Sequence, residues 1–219
     1  MLKKIYLWLH HLTSGAEEQG EYSSGHWAAS VRKKALDFCS GIHGRFLEVG
    51  CGEGLFISKL AAYDPKLQIW GIDNSTERLF KAKERCKNLQ NVNLSVADAL
   101  NLEFEGEYFD NVACINVLFN LESVDAAKKV IIEMKRVCKK GGSIILDFRS
   151  SLNPLLKLKY SLAKYYDETV KNLPLRCYSP RQIEGLLKES GFEIIKKDYV
   201  GALLFKRFAP VILLKAQKI

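Results

Sequence analysis

Apolar positions follow two alternating periods along most of this 219-residue chain. From Arg45 onward, short apolar runs typical of buried strands alternate with segments whose apolar residues recur at helical spacing. The predicted strands are FLEVG, LQIWGID, NVNLSVAD, FDNVACINV and SIILDF, followed by FEIIKKDYVG and PVILLKAQK. This alternation predicts an α/β domain in which right-handed crossovers build a doubly wound, mostly parallel sheet.

Capping residues place the boundaries of several helices. Ser75 is predicted to cap the helix that contains ERLFKAKERCKNL, and Ser179 with Pro180 to begin a later one. The long helix SVDAAKKVIIEMKRVCKK is predicted to stop at the pair Gly141-Gly142, with SIILDF following as the fifth strand. The strands are thus joined by helices, as a parallel sheet requires.

Two stretches depart from the alternation. Residues 1–40 contain helical material interrupted by a polar segment, with a second helix from about Trp27 to Cys39, and they predict an N-terminal helical cap. Residues 149–178 are rich in Leu, Lys and Tyr, and connections of this length are usually lids or binding loops. We therefore divide the chain into a cap, 1–40, and a ligand-binding α/β domain, 41–219, whose residues 149–178 form a lid or substrate-binding insertion.

Composition narrows the class of partner. The chain has 33 basic and 25 acidic residues, a formal net charge of +8. Most of the cations fall where helices should face water, so a nucleic-acid partner is not expected, whereas the N-terminal helix leaves a peripheral membrane contact open. No apolar run approaches the roughly 20 residues of a membrane span. Six widely spaced cysteines without a C-x-x-C pair indicate a reduced, cytoplasmic protein with no metal site.

The most informative segment is LEVGCGEG, residues 47–54, where a strand ends and glycines follow at every second position. Gly50, Gly52 and Gly54 leave the backbone bare where a ligand must approach closely. The G-x-G-x-G spacing is narrower than the G-x-G-x-x-G of dinucleotide sites, and Glu48 would repel a pyrophosphate. A carboxylate suits a positively charged ligand, which points to S-adenosyl-L-methionine (SAM), whose amino-acid end and sulfonium are cationic.

Polar residues also end the next three predicted strands. Asp73 follows the second strand and can accept hydrogen bonds from both hydroxyls of a ribose. Asp98 follows the third and can accept from the exocyclic amine of adenine, and Asn116 ends the fourth. Ligands of open α/β sheets sit beyond the carboxyl ends of the strands, so these side chains are expected around one site.

With these residues the chain resembles a class I SAM-dependent methyltransferase with a type 11 methyltransferase domain. The resemblance runs from about Arg45 to Ile219 and rests on LEVGCGEG, GIDNS, ADAL, FDNVACINVLFNL, KRVCKKGGSIILDF and YSPRQIEGLLKESGFEII. It implies a Rossmann-like sheet of seven strands in the order 3-2-1-4-5-7-6, with the last strand antiparallel. Many relatives have a histidine after the fourth strand where this chain has Asn120, so no role of that histidine carries over.

The resemblance also assigns the cofactor site. It implies SAM as methyl donor and S-adenosyl-L-homocysteine (SAH) as product. The methionine part would lie against Glu48 and the loop Gly50, Cys51, Gly52, Gly54; the ribose against Asp73; the adenine against Asn74, Asp98 and Ala99; and the methionine side would be lined by Asn116.

The acceptor side has weaker signals. No catalytic base is identified, and His26 is the candidate, with a capping or exposed histidine as the alternative. Tyr22, Arg149, Tyr165 and Tyr166 are the other candidate substrate residues. Arg149 could hold an anionic acceptor or form a surface ion pair. The tyrosines could form an apolar substrate wall or a small core inside the lid.

Three functions remain in view. The leading hypothesis is methyl transfer to a small molecule, apolar or lipid-like because of the Leu- and Tyr-rich connection. The positive charge keeps an RNA methyltransferase as the alternative, and a catalytically silent SAM-binding module is the other. The sequence determines neither the methylated atom nor the oligomeric state.

Overall fold

A seven-stranded sheet runs through the computed structural model, which describes residues 2–13, 26–166, 173–202 and 205–219. The spatial order is β3-β2-β1-β4-β5-β7-β6, which confirms the predicted order. The strands are β1 (Arg45–Val49), β2 (Gln68–Asp73), β3 (Val92–Val96), β4 (Phe109–Cys114), β5 (Cys138–Arg149), β6 (Phe192–Val200) and β7 (Val211–Lys218).

Helices lie between the strands where they were predicted, and the connection predicted over residues 149–178 contains a further helix, Pro154–Tyr166. The helices are α1 (Leu2–Thr13), α2 (His26–Phe38), α3 (Leu55–Tyr63), α4 (Thr76–Cys86), α5 (Val124–Val137), α6 (Pro154–Tyr166) and α7 (Pro180–Glu189), with 3-10 turns at Leu118–Asn120 and Lys206–Phe208. The predicted caps are confirmed: Ser75 accepts from the Arg78 amide, and Ser179 forms a capping box with Gln182. Among the described helices, none combines the length and apolar character needed to cross a membrane.

One strand, β7, runs opposite to the other six. Strands β1 to β5 pair in parallel, whereas β7 lies antiparallel between β5 and β6. The last strand is therefore the antiparallel one, as expected. Because β1, β2, β4 and β5 all run in the same direction, their carboxyl ends share one edge of the sheet, where a ligand site is expected.

Side chains alternate between two cores, one on each face of the sheet. One core packs α5 and α7 against strand residues such as Leu47 and Val112. The other packs α2 and α3 against the intervening positions, for example Phe46 and Ala113. Helix α2 therefore covers the sheet directly, while α1 packs against α6.

The boundary between α5 and β5 is a correction. The helix ends at Val137, and the two glycines expected to stop it lie inside the strand, which already begins at Cys138. The strand register shifts between Phe109 and Asn111 at this place. A Cβ on Gly142 would lie 2.6 Å from the Asp110 carbonyl oxygen, so the glycine allows the irregular strand to lie close to β4.

Candidate functional site

The glycine loop joins β1 to α3 at the carboxyl edge of the sheet. Gly50, Gly52 and Gly54 all have left-handed φ angles, of 75°, 52° and 73°. The amides of Gly50 and Cys51 both donate to the carbonyl of Ile72, at 2.8 Å, which ties the loop to the end of β2. A Cβ on Gly50 would lie 2.4 Å from the Val117 side chain, so the loop could not hold this shape with a larger residue there.

Cys51 takes part in the loop through its backbone. Its side chain is buried and packs with Leu79 and Ala82 of α4. Burial raises the pKa of the thiol well above its ordinary value, so it stays protonated. If Cys51 contacts the cofactor as predicted, it therefore does so through its backbone atoms and not through its thiol.

Glu48 lies at the end of β1, 2% exposed, with its carboxyl group beside the start of α3. The Ile57 amide donates to the carboxyl group, but Oε2 has no hydrogen-bond partner among the described residues. Burial raises the pKa of Glu48, and Asp73 adds to this, while the charge of Arg32 lowers it. A buried, unpartnered carboxylate oxygen beside a glycine loop fits the positive amino group of the SAM methionine part.

Asp73 holds the loop in place from the end of β2. Its Oδ2 accepts from the Gly52 amide at 2.9 Å and its Oδ1 from the Ser75 amide at 3.0 Å. The carboxylate is 6% exposed. Each carboxylate oxygen has two lone pairs, so both oxygens keep a further acceptor position for the predicted ribose hydroxyls.

The predicted adenine residues lie at the β2–β3 edge of the sheet. Asn74 and Asp98 are exposed, and Ala99 is half-buried. Asp98 Oδ1 accepts from the Leu100 amide at 2.9 Å, a hydrogen bond that does not involve Oδ2. The contacts predicted for these residues with adenine stay predictions.

Asn116 connects three parts of the chain just beyond β4. Its backbone is left-handed, with φ 59°, and its amide donates to Asp147 Oδ1 at 2.5 Å. Its side chain donates to the Ala28 carbonyl of α2 and accepts from Arg149 at 3.0 Å. The residue predicted to line the methionine side thus also fixes α2 to the ends of β4 and β5.

Arg149 lies inside the protein, so the surface ion pair considered for it is wrong. It is 4% exposed and pairs with Asp147 at 2.7 Å. Its guanidinium lies over the Phe119 ring, 4.4 Å from the centroid, and hydrogen-bonds the hydroxyl of Tyr160. Its Nε has no partner among the described residues. The buried donor therefore remains suited to an oxygen of an acceptor.

Tyr160 links helix α6 to this ion pair. It belongs to α6, where it packs with Leu162, Ala163, Leu175 and Ile5 of α1. Helix α6 thus contributes to a small core, which it shares with the N-terminal helix. Burial raises the pKa of Tyr160, so its phenol stays protonated at neutral pH.

The other acceptor candidates are less enclosed or undescribed. Tyr165 is 78% exposed and Tyr166 is 37% exposed, with ring centroids 6.4 Å apart. Tyr22 lies outside the described residues, as does the side chain of His26, whose backbone begins α2. The proposed roles of all four residues stay predictions.

Two charged residues were missed as parts of this site. Arg32 was assigned to a water-facing basic run, yet it is 4% exposed and its charge acts on both Glu48 and Asp147. Because Lys33 and Lys34 follow it directly, the sequence carries no signal of this burial. Glu53 in the loop is 2% exposed, and its carbonyl accepts from Arg85 of α4 at 2.9 Å.

Comparison with known proteins places these features in context. Residues 46–142 match a family model described as a methyltransferase domain. A phosphatidylethanolamine N-methyltransferase from Cereibacter sphaeroides is 30% identical over 196 residues, covering 86% of this chain and 91% of that protein. A demethylmenaquinone methyltransferase from Staphylococcus epidermidis is 29% identical over 175 residues, covering 72% of this chain and 71% of that protein.

A solved structure supports the same fold. The magnesium protoporphyrin IX methyltransferase of Synechocystis PCC 6803, determined with bound SAH, superposes with a TM-score of 0.67. The match covers 88% of this chain and 82% of that one at 17% sequence identity.

Proposed function

The chain belongs to the class I SAM-dependent methyltransferases, and from this premise we propose that it methylates a lipid-like small molecule at the carboxyl edge of its sheet. SAM is the methyl donor and SAH the product. We keep the cytoplasmic location expected from the sequence as part of the proposal.

The donor side of the site is assigned to the loop and the neighbouring strand ends. SAM, when bound, supplies a methyl group on a positively charged sulfur, which is a good leaving group. Glu48 Oε2 would receive the amino group of the methionine part, since it is buried without a partner. Asp73 would receive the ribose hydroxyls while it continues to hold Gly52 and Ser75.

The acceptor side is proposed to lie between Arg149, Asn120 and α6. Arg149 Nε and Asn120 Oδ1 are a buried donor and a buried acceptor that have no partner among the described residues. An acceptor with an oxygen and a donor group near its reacting atom would satisfy both. Satisfying such buried polar groups favours binding, because each costs about 1–3 kcal/mol when unpaired.

The chain's own residues contribute alignment more than proton transfer. Asp147 is held by Arg149 and by the Asn116 amide, and Tyr160 stays protonated. Placing the acceptor atom in line with the methyl group in a site closed to water accounts for catalysis of this kind.

One observation carries the choice of a lipid-like acceptor. The family model matches residues 46–142, but the similarity to the Cereibacter sphaeroides protein extends over 86% of this chain and so beyond the glycine loop and its neighbours. That relative is a phosphatidylethanolamine N-methyltransferase. We therefore favour the amine of a lipid headgroup as the methylated atom.

A transfer assay tests the proposal. Purified protein with radiolabelled SAM is incubated separately with a total lipid extract, total RNA and soluble metabolites, and Asp73→Ala is the matched inactive control. We expect label in the lipid fraction, and adding phosphatidylethanolamine should raise it. Label in RNA alone, or in the soluble fraction alone, would show that the proposed acceptor class is wrong. Label on added demethylmenaquinone but not on phosphatidylethanolamine would support a lipid-like acceptor. It would also show that the methylated atom belongs to a quinone ring and is not the amine nitrogen of a headgroup.

A further inference from the structure

Three segments adjoin one another at the carboxyl edge of the sheet: α1, α6 and residues 205–208. Helix α1 packs against α6, with Ile5 beside Leu162 and Ala163. The side chain of Asn153, directly before α6, donates to the carbonyl of Phe208 at 2.6 Å. Helix α6 therefore lies between the other two, and we call the outward side of the three segments the α1–α6 surface.

This surface exposes large apolar side chains. Trp8 is 58% exposed, Leu155 50% and Phe205 68%. On α6, Leu155, Leu158 and Tyr165 are separated by three and seven residues, which places them along one face of the helix. The exposed apolar residues among the described side chains of these segments are Leu2, Leu7, Trp8, Leu155, Leu158, Tyr165, Tyr166, Phe205 and Phe208. An apolar area of this extent marks an interaction surface.

The same segments carry most of the excess charge of the protein. They contain seven cations and no acidic residue: Lys3, Lys4, Lys157, Lys159, Lys164, Lys206 and Arg207. The rest of the chain then has 26 basic and 25 acidic residues, a net charge of +1. Acidic residues begin again only after the end of α6, at Asp167 and Glu168. Within these segments the cations are therefore not interleaved with acidic residues, as they would be on an ordinary water-facing helix.

We propose that the α1–α6 surface docks on an anionic lipid bilayer. Exposed Trp, Phe and Leu side chains would enter the boundary between headgroups and acyl chains, and the exposed lysines, such as Lys3, Lys4 and Lys157, would lie against anionic headgroups. Lys159 is directed elsewhere, with its Nζ 5.4 Å from the centroid of the Trp27 ring. Exposed leucines would not contribute to binding a nucleic acid, because contacts with phosphates are made by cations. A second copy of the chain would place two such cationic surfaces against each other, which is electrostatically unfavourable.

Docking would bring the bilayer next to the acceptor side. Tyr160 on the inner side of α6 hydrogen-bonds Arg149, whereas Leu158 two residues earlier faces outward. One helix thus separates the bound surface from the buried ion pair. The inference holds whichever small molecule is methylated, and its test needs neither SAM nor an acceptor.

Vesicle sedimentation tests the proposal directly. The full chain is mixed with vesicles of phosphatidylcholine alone or with about 30% phosphatidylglycerol, a fraction that gives a strongly negative surface. Binding to the anionic vesicles is expected, with little binding to the neutral ones. Each Lys→Gln change at Lys3, Lys4 or Lys157 should weaken binding roughly fivefold at low salt. Trp8→Ser should weaken it by roughly tenfold or more.

Matched controls lie elsewhere on the surface. Phe80 on α4 is 67% exposed and Lys87 follows the same helix, so Phe80→Ser and Lys87→Gln make the same chemical changes outside the α1–α6 surface. Neither control should alter sedimentation, and circular dichroism melts should show that every variant is folded. Equal losses in the controls, equal binding to neutral vesicles, or no binding at all would overturn the proposal. If light scattering showed dimers of the wild type that dissociate in Trp8→Ser, the surface would mediate self-association and the proposal would be overturned.

Discussion

The donor side and the acceptor side of this site are built in different ways. Glu48, the glycine loop and Asp73 lie within 26 residues of sequence, and their contacts run between neighbouring strand ends. Arg149 and Tyr160, on the proposed acceptor side, meet Asn116 and the carbonyl of Ala28 in one network drawn from four distant segments. The proposed cofactor contacts come from residues close together in the sequence, whereas the proposed acceptor contacts come from residues that only the tertiary fold brings together.

The largest effect is expected from the buried ion pair of the acceptor side. Arg149→Met leaves Asp147 buried without its partner and should lower the free energy of unfolding by about 3–5 kcal/mol. Chemical denaturation measures this. The double variant Asp147→Asn/Arg149→Met should recover much of the loss, because no charge is left buried. If the single and double variants lost the same free energy of unfolding, the loss would not come from leaving the Asp147 charge buried without Arg149.

On the donor side, Asp73→Asn should weaken SAH binding at least about tenfold, since a charged hydrogen bond contributes about 1.5–3 kcal/mol. The amide keeps one oxygen to accept from Gly52 or Ser75, so the loop should stay folded. Isothermal titration calorimetry measures the affinity. Asp98→Asn is the comparison at the exposed edge and should have a smaller effect. Equal losses would mean that the carboxylate of Asp73 is not the main ribose contact.

Glu48 should make cofactor binding depend on pH. Burial raises its pKa in the ligand-free protein, and the amino group of the ligand would favour the ionised form. SAM affinity should therefore increase as pH rises through the raised pKa, and Glu48→Gln should bind more weakly with a flatter pH profile. A profile unchanged by the substitution would exclude Glu48 as the titrating group.

The same carboxyl group affects stability in the opposite sense. With a raised pKa, the folded protein keeps a proton that the unfolded chain releases. The stability that this proton contributes is present below the ordinary pKa of 4.5 and is lost as pH rises through the folded pKa. Ligand-free Glu48→Gln should gain stability relative to the wild type across that interval in thermal melts. A constant difference between the two proteins at all pH values would contradict this.

The smallest effect is expected in helix α6. Tyr160→Phe removes one hydroxyl that bonds Arg149 and keeps the ring in its small core, so stability should fall by about 1 kcal/mol. Acceptor methylation should fall more, through a higher KM for the acceptor. Tyr63→Phe, which changes an exposed tyrosine of α3, is the control and should leave both unchanged.

The sequence predicts the fold better than it predicts which distant residues meet, for a physical reason. The strand order, the antiparallel last strand and the caps at Ser75 and Ser179 follow from periodicity, local chemistry and family resemblance, and all are confirmed. The early end of α5 was missed because a strand irregularity at Gly142 depends on how close β4 lies. Arg32 was missed because only its packing against the sheet shows that it is buried.

Calorimetric titration of SAH into three proteins tests the separation of the two sides most directly. The wild type and Tyr160→Phe should bind SAH with affinities within about twofold of each other, because the Tyr160 hydroxyl lies outside the donor contacts, while Asp73→Asn should lose at least about tenfold. If Tyr160→Phe weakened SAH binding as much as Asp73→Asn, the two sides would be one coupled site, and the division between a local donor side and an assembled acceptor side would be wrong.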